Sequence, residues 1–372
     1  MDSVTSRPPL RSVSFFRPTI DKLSPYVPGL QPAAGVSVVK LNTNENPYPA
    51  SPRALEALRQ LDPQRLRCYP DPLADEFRQT VATVLNLDPS WVLVGNGSDD
   101  LLTMVVRAAS GPNLPVVYPS PTYVLYRTLA EIQDAPVVAV PFDDHFALPV
   151  DELVNASGAV TFVANPNSPS GTKTGNTQLA RLANTLDGLL VIDEAYVAFA
   201  DDDALSLVAE HPNVIILRTL SKSHGLAGLR LGFAIAQPPI IAGLAKVKDS
   251  YNVDAVAAHV GAVALRDTVH TSEVVERIKN DRAQLATALQ ELGCYVWPSQ
   301  ANFLLVRPPQ SNAKQVHQDL ETQGVLVRYF DDPALATTLR ITIGTSDQHA
   351  VLLDSLRTIL GRDPAATTGN GA

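Results

Sequence analysis

Between about Ser51 and Leu265, short apolar runs alternate with stretches of helical period. The runs read WVLVGNG, PVVYPSP, APVVAVPF, AVTFVANPNS, LLVIDEAY, NVIILRTLS and RLGFAIA. They are rich in Val, Ile and Leu and apolar at successive positions, unlike the in–out alternation of a half-exposed strand. This pattern predicts strands buried on both faces, with helices covering each side of a mostly parallel sheet. After Val256 the pattern changes. A long amphipathic stretch runs through ERIKNDRAQLATALQELG, and short strands follow in YVWPSQANFLLVRP, GVLVRYF and LRITIGT, separated by helical segments. The chain is therefore expected to be an α/β protein with a large domain at 50–260 and a smaller α+β domain at 261–360. A Pro- and Asn-rich segment at 15–49 is expected to pack with the small domain. An arm at 1–14 and a small, polar tail at 361–372 are expected to be disordered.

Composition narrows the function. A length of 372 residues suits about two domains, and 45% hydrophobic residues suffice for a full core. A net charge of −9 argues against nucleic acid as a main partner, because phosphate backbones attract basic surfaces. Cys68 and Cys294 stand far apart with no metal-ligand spacing, which reads as two ordinary thiols in a reducing, cytoplasmic setting. No apolar run approaches the roughly 18 residues that span a bilayer, so no membrane partner is expected. The first 20 residues are Ser- and Arg-rich with a single acid, a faint likeness to an organellar targeting segment; a short disordered arm is the plainer reading.

Four features carry chemistry. In WVLVGNGSDDLLTMVVRAA a strand turns through Gly95 and Gly97 into a helix that begins with Ser98, Asp99 and Asp100. Free N–H groups and the positive end of a helix dipole suit a phosphate there, although ordinary capping explains the same residues. In GLLVIDEAYVAF, Asp193 and Glu194 end a buried strand, at the sheet edge where open α/β folds bind ligands. Such an acid pair also resembles a magnesium-holding strand of an ATPase, but no Gly-Lys phosphate loop accompanies it. Lys222 lies one strand–helix–strand unit beyond Asp193, in RTLSKSHGLAGLR, amid Thr219, Ser221, Ser223 and His224, with Arg230 following after Gly225 and Gly228. NPNSPSG, from Asn165 to Gly171, forms a rigid turn whose two asparagines could reach the same edge. A phosphate cup, an acid, a lysine and an arginine on one edge suit pyridoxal phosphate: the lysine as imine-forming amine, the acid opposite the ring nitrogen, the cup and arginine on the phosphate.

TLSKSHGLAGLRLG, DEAY, NPNSPSG, GNGSDD, KLNTNENPYP, CYPDP, PTYVLY, NFLLVR and LRITIGT occur together, in the order seen in histidinol-phosphate aminotransferases. The chain resembles that family, a branch of the fold-type I pyridoxal-phosphate enzymes, from about Pro18 to Leu360. The resemblance implies roles. Lys222 would be the Schiff-base lysine and proton carrier, Asp193 the partner of the pyridine nitrogen, Tyr196 a donor to O3′ and Tyr123 the residue stacked on the ring. Gly97, Ser98, Asp99, Thr219, Ser221 and Arg230 would surround the phosphate. Tyr69 would reach the phosphate of a neighbouring subunit, which requires a homodimer. Tyr26, Asn44, Arg328 and Arg340 would contact the substrate. The family's turn reads Asn-Pro-Asn-Asn-Pro-Thr-Gly, and its Asn before Pro contacts O3′. Ser168 stands at that position here: either its hydroxyl donates in place of the Asn, or Asn167 takes the role after a small shift of the turn, and Asn167 is the expected ligand. The implied activity is amino transfer between L-histidinol phosphate and 2-oxoglutarate. An aromatic-amino-acid aminotransferase and a threonine-phosphate decarboxylase share the same motifs.

Overall fold

The structure, a computed structural model, describes residues 14–25, 29–32, 35, 38–309 and 312–361. Tyr26, most of the N-terminal arm and residues 362–372 of the tail lie outside the described residues.

Thirteen strands are named among the described residues: β1 (Val39–Lys40), β2 (Val92–Gly95), β3 (Val116–Ser120), β4 (Val137–Pro141), β5 (Val160–Ala164), β6 (Leu189–Asp193), β7 (Val214–Thr219), β8 (Gly232–Ala236), β9 (Tyr295–Val296), β10 (Phe303–Arg307), β11 (Val325–Leu326), β12 (Arg328–Tyr329) and β13 (Leu339–Thr342). All seven apolar runs become strands of one sheet, in the order β2-β8-β7-β6-β5-β3-β4. Only β8 runs against its neighbours, pairing antiparallel with β2 and β7; the others are parallel. Successive residues enter different cores. Leu190 and Ile192 of β6 and Val214 and Ile216 of β7 pack on one face. Val191, Ile215 and Leu217 pack on the other. This two-sided burial is why the runs show no alternation, and each such side chain contributes about 1.5–3 kcal/mol by leaving water. The edge strand β4 departs from the expectation: of its residues only Val140 is fully buried, because no strand covers its outer side.

The smaller body holds the antiparallel sheet β12-β13-β10-β9 and the short parallel pair β1-β11. The helices Thr268–Glu291, Ala313–Thr322 and Ser346–Ile359 close its core with Leu285, Leu320 and Leu352. The last helix starts from a capping box, with Thr345 and Gln348 bonded reciprocally.

Two expected boundaries need correction. Helix Ala255–Arg266 crosses the expected 260/261 division unbroken, and Ala257, Val260, Ala262 and Ala264 belong to the large core. The large body therefore extends to Arg266, because that helix buries its apolar face on helix Asp75–Leu85 rather than on the small domain. The segment 15–49 also divides. β1 joins the small domain through β11, and Leu41 enters its core. The stretch near Arg17 instead rests on the large body, where Arg17 and Thr19 both bond to the Asp134 carboxylate.

Candidate active site

Strands β5, β6 and β7 are parallel, so their carboxyl ends share one edge, and β8 brings its beginning to that edge from the opposite direction. Gly232 at the start of β8 is in register with both Gly95 and Thr219. A Cβ at Gly232 would lie 2.7 Å from the Ser98 nitrogen and 2.9 Å from the Arg218 oxygen, so only glycine lets three chain segments meet there. A cavity of about 220 Å³ opens at this edge. Asn44, Ser98, Asp99, Tyr123, Asp193, Tyr196, Thr219, Ser221, Lys222, Arg230, Arg328 and Arg340 all line it.

Asp193 is buried, and burial pushes its carboxyl up to about 6 against the opposing effects of a Tyr126 hydrogen bond, the Ala195 N–H and the nearby Lys222. The Tyr126 hydroxyl donates to Asp193 Oδ2 at 2.7 Å, while its ring stacks on Phe162 at 4.7 Å. PTYVLY thus supplies two tyrosines to the site, the expected Tyr123 and, beyond the motif's implied roles, Tyr126. The signal was present: one helical turn separates them, and the residue facing the sheet must pair its hydroxyl when buried. Lys222 Nζ sits 5.5 Å from the centre of the Tyr196 ring. Asn44 Nδ2 donates to the Tyr196 hydroxyl oxygen at 2.9 Å. Asn46, also unassigned from the sequence, donates to the carbonyls of Lys222 and Ser223 and so ties the N-terminal segment to the lysine loop.

An anion cup adjoins this group. Helix Ser98–Ala109 begins after Gly97, which has φ +79° and no side-chain cap. A Cβ on Gly97 would stand 2.7 Å from Arg230 Nη2, so the guanidinium lies directly over the turn. Thr219 Oγ1 donates to Ser221 Oγ at 2.9 Å, and Arg230 Nη2 meets Asp99 Oδ2 at 3.2 Å. Ser223 and His224 bond to each other at 3.0 Å and do not line the cavity.

At the small-domain side, Arg340 Nη1 donates to Ser168 Oγ at 3.1 Å and Nη2 to the Asn42 carbonyl at 3.0 Å. Its guanidinium lies over the rings of Phe303 and Phe330, at 5.3 Å and 5.4 Å. A second cavity of about 530 Å³ shares Tyr123, Ser168, Arg328 and Arg340 with the first. Asn167, expected to reach O3′, is not among the residues that line the cavity. Its amide donates to Ser170 Oγ and the Pro121 carbonyl and its oxygen accepts from Thr122, so it staples the turn from within. Ser168 lines the cavity in its place. Tyr69 does not line the cavity; it is 84% exposed and stacks on Tyr251 at 4.7 Å. Glu194 is no free metal ligand. It is buried with its carboxylate on Arg218 at 2.7 Å, and Arg218 also meets Asp203 at 2.8 Å.

Residues 36–356 match the family described as aminotransferase class I and II. The chain is 51% identical to histidinol-phosphate aminotransferase 1 of Trichormus variabilis, over 93% of this chain and 99% of that one. It is 41% identical to the histidinol-phosphate aminotransferase of Geobacter sulfurreducens, over 92% and 99%. Among solved structures, it resembles the histidinol-phosphate aminotransferase of Sinorhizobium meliloti in complex with pyridoxal-5′-phosphate, with TM-score 0.87, 26% identity, and coverage of 94% and 98%.

Proposed function

Because the chain belongs to the class I and II aminotransferases, and within them to the histidinol-phosphate aminotransferases, we propose that its cavity binds pyridoxal phosphate and transfers an amino group between L-histidinol phosphate and 2-oxoglutarate. The residues present fit that cofactor. The absence of a side chain at Gly97 lets Arg230 close over the helix start, and Ser98, Thr219 and Ser221 line the cavity beside it, a set of donors that suits a phosphate. Asp193 is a buried carboxylate whose hydrogen-bond donors, Tyr126 and the Ala195 N–H, are both uncharged, which suits a cationic ring nitrogen as a further partner.

When bound, pyridoxal phosphate supplies an aldehyde that carries the amino group and a ring that draws electrons from the reacting carbon. The chain's own residues do the rest. Asp193, pinned by Tyr126 and the Ala195 N–H, holds a proton at the ring nitrogen. Lys222 takes the proton from the substrate Cα and would return it two bonds away, on the cofactor side of the shared nitrogen. Asn44 donates to the Tyr196 oxygen, which leaves the Tyr196 hydroxyl hydrogen available to donate to O3′ of the cofactor. Ser98, Thr219, Ser221 and Arg230 bind the phosphate. Arg328 and Arg340 bind the substrate anion. Guanidinium accepts phosphate or carboxylate in the same forked geometry, so one pair serves both the amine and the 2-oxo acid. The observation that carries this reading is the meeting of Asp193, Lys222, Arg328 and Arg340 in one cavity.

A homodimer in a reducing, cytoplasmic setting belongs to the same proposal. Its support is the exposed Tyr69, which its own cavity does not use. The test is a Lys222→Ala variant beside the wild type. Wild-type protein with pyridoxal phosphate should show a visible absorption band and transfer nitrogen from histidinol phosphate to 2-oxoglutarate faster than from phenylalanine, without releasing carbon dioxide from threonine phosphate. The variant should lose both the band and the turnover. A normal band in Lys222→Ala, or preference for phenylalanine in the wild type, refutes the assignment.

A further inference from the structure

The first turn of helix Ser98–Ala109 carries two adjacent carboxylates, Asp99 and Asp100, where a phosphate is expected. Acids suit the positive end of a helix, yet they compete with an anionic ligand for the same N–H groups. The molecule disposes of each differently. Asp99 lines the cavity and is met by Arg230 Nη2 and the Tyr123 hydroxyl, each at 3.2 Å. Asp100 does not line it. Asp100 Oδ2 accepts from the Asn96 backbone N–H at 2.9 Å and from Asn252 Nδ2 at 2.8 Å. Asn252 is bound on every side: Nδ2 also reaches the Val94 carbonyl at 3.2 Å, and its backbone carbonyl accepts from Asn96 Nδ2 at 3.1 Å. Its Oδ1 accepts from Lys248 Nζ at 3.2 Å, and that ammonium also donates to the carbonyls of Pro72 at 2.8 Å and Asp249 at 2.6 Å.

We propose that Asn252 and Lys248 are positioning residues for the phosphate end of the cofactor: they hold Asp100 turned out of the cup and fix the Asn96–Gly97 turn, so that the helix N–H groups stay available to the ligand. The inference rests on the reading of this cup as a phosphate site. Asn252 acts as a donor toward Asp100 and an acceptor toward Lys248, so its amide relays positive character from the ammonium to the carboxylate. Neither Asn252 nor Lys248 lines the cavity.

The polarity of that relay makes a swap test. Asn252→Asp sets a second carboxylate against Asp100 and drives the Asp100 side chain toward the cup's donors. Adding Asp100→Asn restores a donor–acceptor pair with its direction reversed, and Lys248 then faces a carboxylate. Full-length protein stripped of cofactor is titrated with pyridoxal phosphate, with pyridoxal, which lacks the phosphate, and with inorganic phosphate followed by thermal shift. Loss of a hydrogen bond to a charged group corresponds to roughly ten- to hundred-fold in affinity. Asn252→Asp should show that loss for pyridoxal phosphate and inorganic phosphate and little for pyridoxal, and the double variant should recover most of it. Lys248→Met, which keeps Asn252, should show a smaller loss with the same selectivity. Equal weakening of pyridoxal and pyridoxal phosphate, or a double variant no better than the single, overturns the proposal. Failure of the wild type to bind pyridoxal phosphate would instead overturn the cofactor assignment, so the two failures are distinguishable.

Discussion

Replacing Asp193 by Asn should abolish turnover and yet stabilise the cofactor-free protein. The carboxyl of Asp193 titrates near 3.8 when exposed and is pushed up to about 6 in the fold, mainly because burial disfavours its charge. A raised acid favours the folded state only while it is protonated. That stability is fully present below pH 3.8 and is lost as pH rises through about 6. The full difference corresponds to roughly 3 kcal/mol at neutral pH. Asn is neutral at every pH and has no such loss: its single oxygen still accepts from the Ala195 N–H, and its amide NH2 donates to the Tyr126 oxygen with that hydrogen bond reversed. Linkage at pH 4.5 leaves about 1 kcal/mol between the two proteins, and at pH 7.5 about 3 kcal/mol. The gap should therefore widen by about 2 kcal/mol across that range, with the variant the more stable. Urea unfolding of both cofactor-free proteins at several pH values measures it, with the slope against denaturant confirming unchanged compactness. Adding pyridoxal phosphate should stabilise the wild type more than the variant, because only the carboxylate gains a charged partner. A gap that does not move with pH would refute the argument, since it would mean that ionisation of Asp193 is not coupled to folding.

Tyr126→Phe removes one hydrogen bond to the same carboxylate; it should weaken cofactor binding and move the acid limb of the rate–pH profile upward by about one pH unit, read from initial rates. Gly97→Ala should lower affinity for pyridoxal phosphate at least about tenfold, because the added methyl meets Arg230 in a backbone region that alanine resists; absorbance titration checks it. Arg340→Lys should raise KM for both substrates while leaving the cofactor's absorption unchanged, since a point charge cannot replace the fork that bonds Ser168, Asn42 and a substrate anion. Glu194→Gln should destabilise the fold by about 3 kcal/mol in urea, because it leaves the buried Arg218 with only its exposed partner Asp203. Mixing Tyr69→Phe and Lys222→Ala subunits should regain turnover that neither has alone, if Tyr69 serves its neighbour.

The large sheet was legible because each of its strands is a short apolar block, and a block buried on both faces leaves its mark on every residue. Lys222, Asp193 and Arg230 were legible because charged residues at the ends of such blocks have few structural reasons to be there. The helix across residue 260 was misassigned for the opposite reason. Its small residues, Ala257, Ala258, Gly261 and Ala262, fit any close packing, and the partner that claims them is remote in sequence. The choice between Asn167 and Ser168 was likewise invisible. Two neighbouring polar residues in one turn point in different directions, and which of them faces the cavity depends on Thr122 and Ser170, which hold the Asn167 amide. Tyr126 was hidden by a different cause: a buried tyrosine in a helix reads as core until the acid beneath it is located.

The reversal of β8 carries a consequence for how this protein can diversify. Gly232 returns to within register of Gly95 and Thr219, so Lys222 and Arg230 hang from a single loop whose two feet are anchored side by side. The amine and the anion-binding guanidinium are thus one heritable cassette, moored to the sheet at both feet and clasped by Asn46. Arg328 and Arg340 arrive on strands of the other body, outside that cassette. Selection acting on β12, β13 and their loop can retailor what is recognised while the machinery for moving the proton is carried along unaltered.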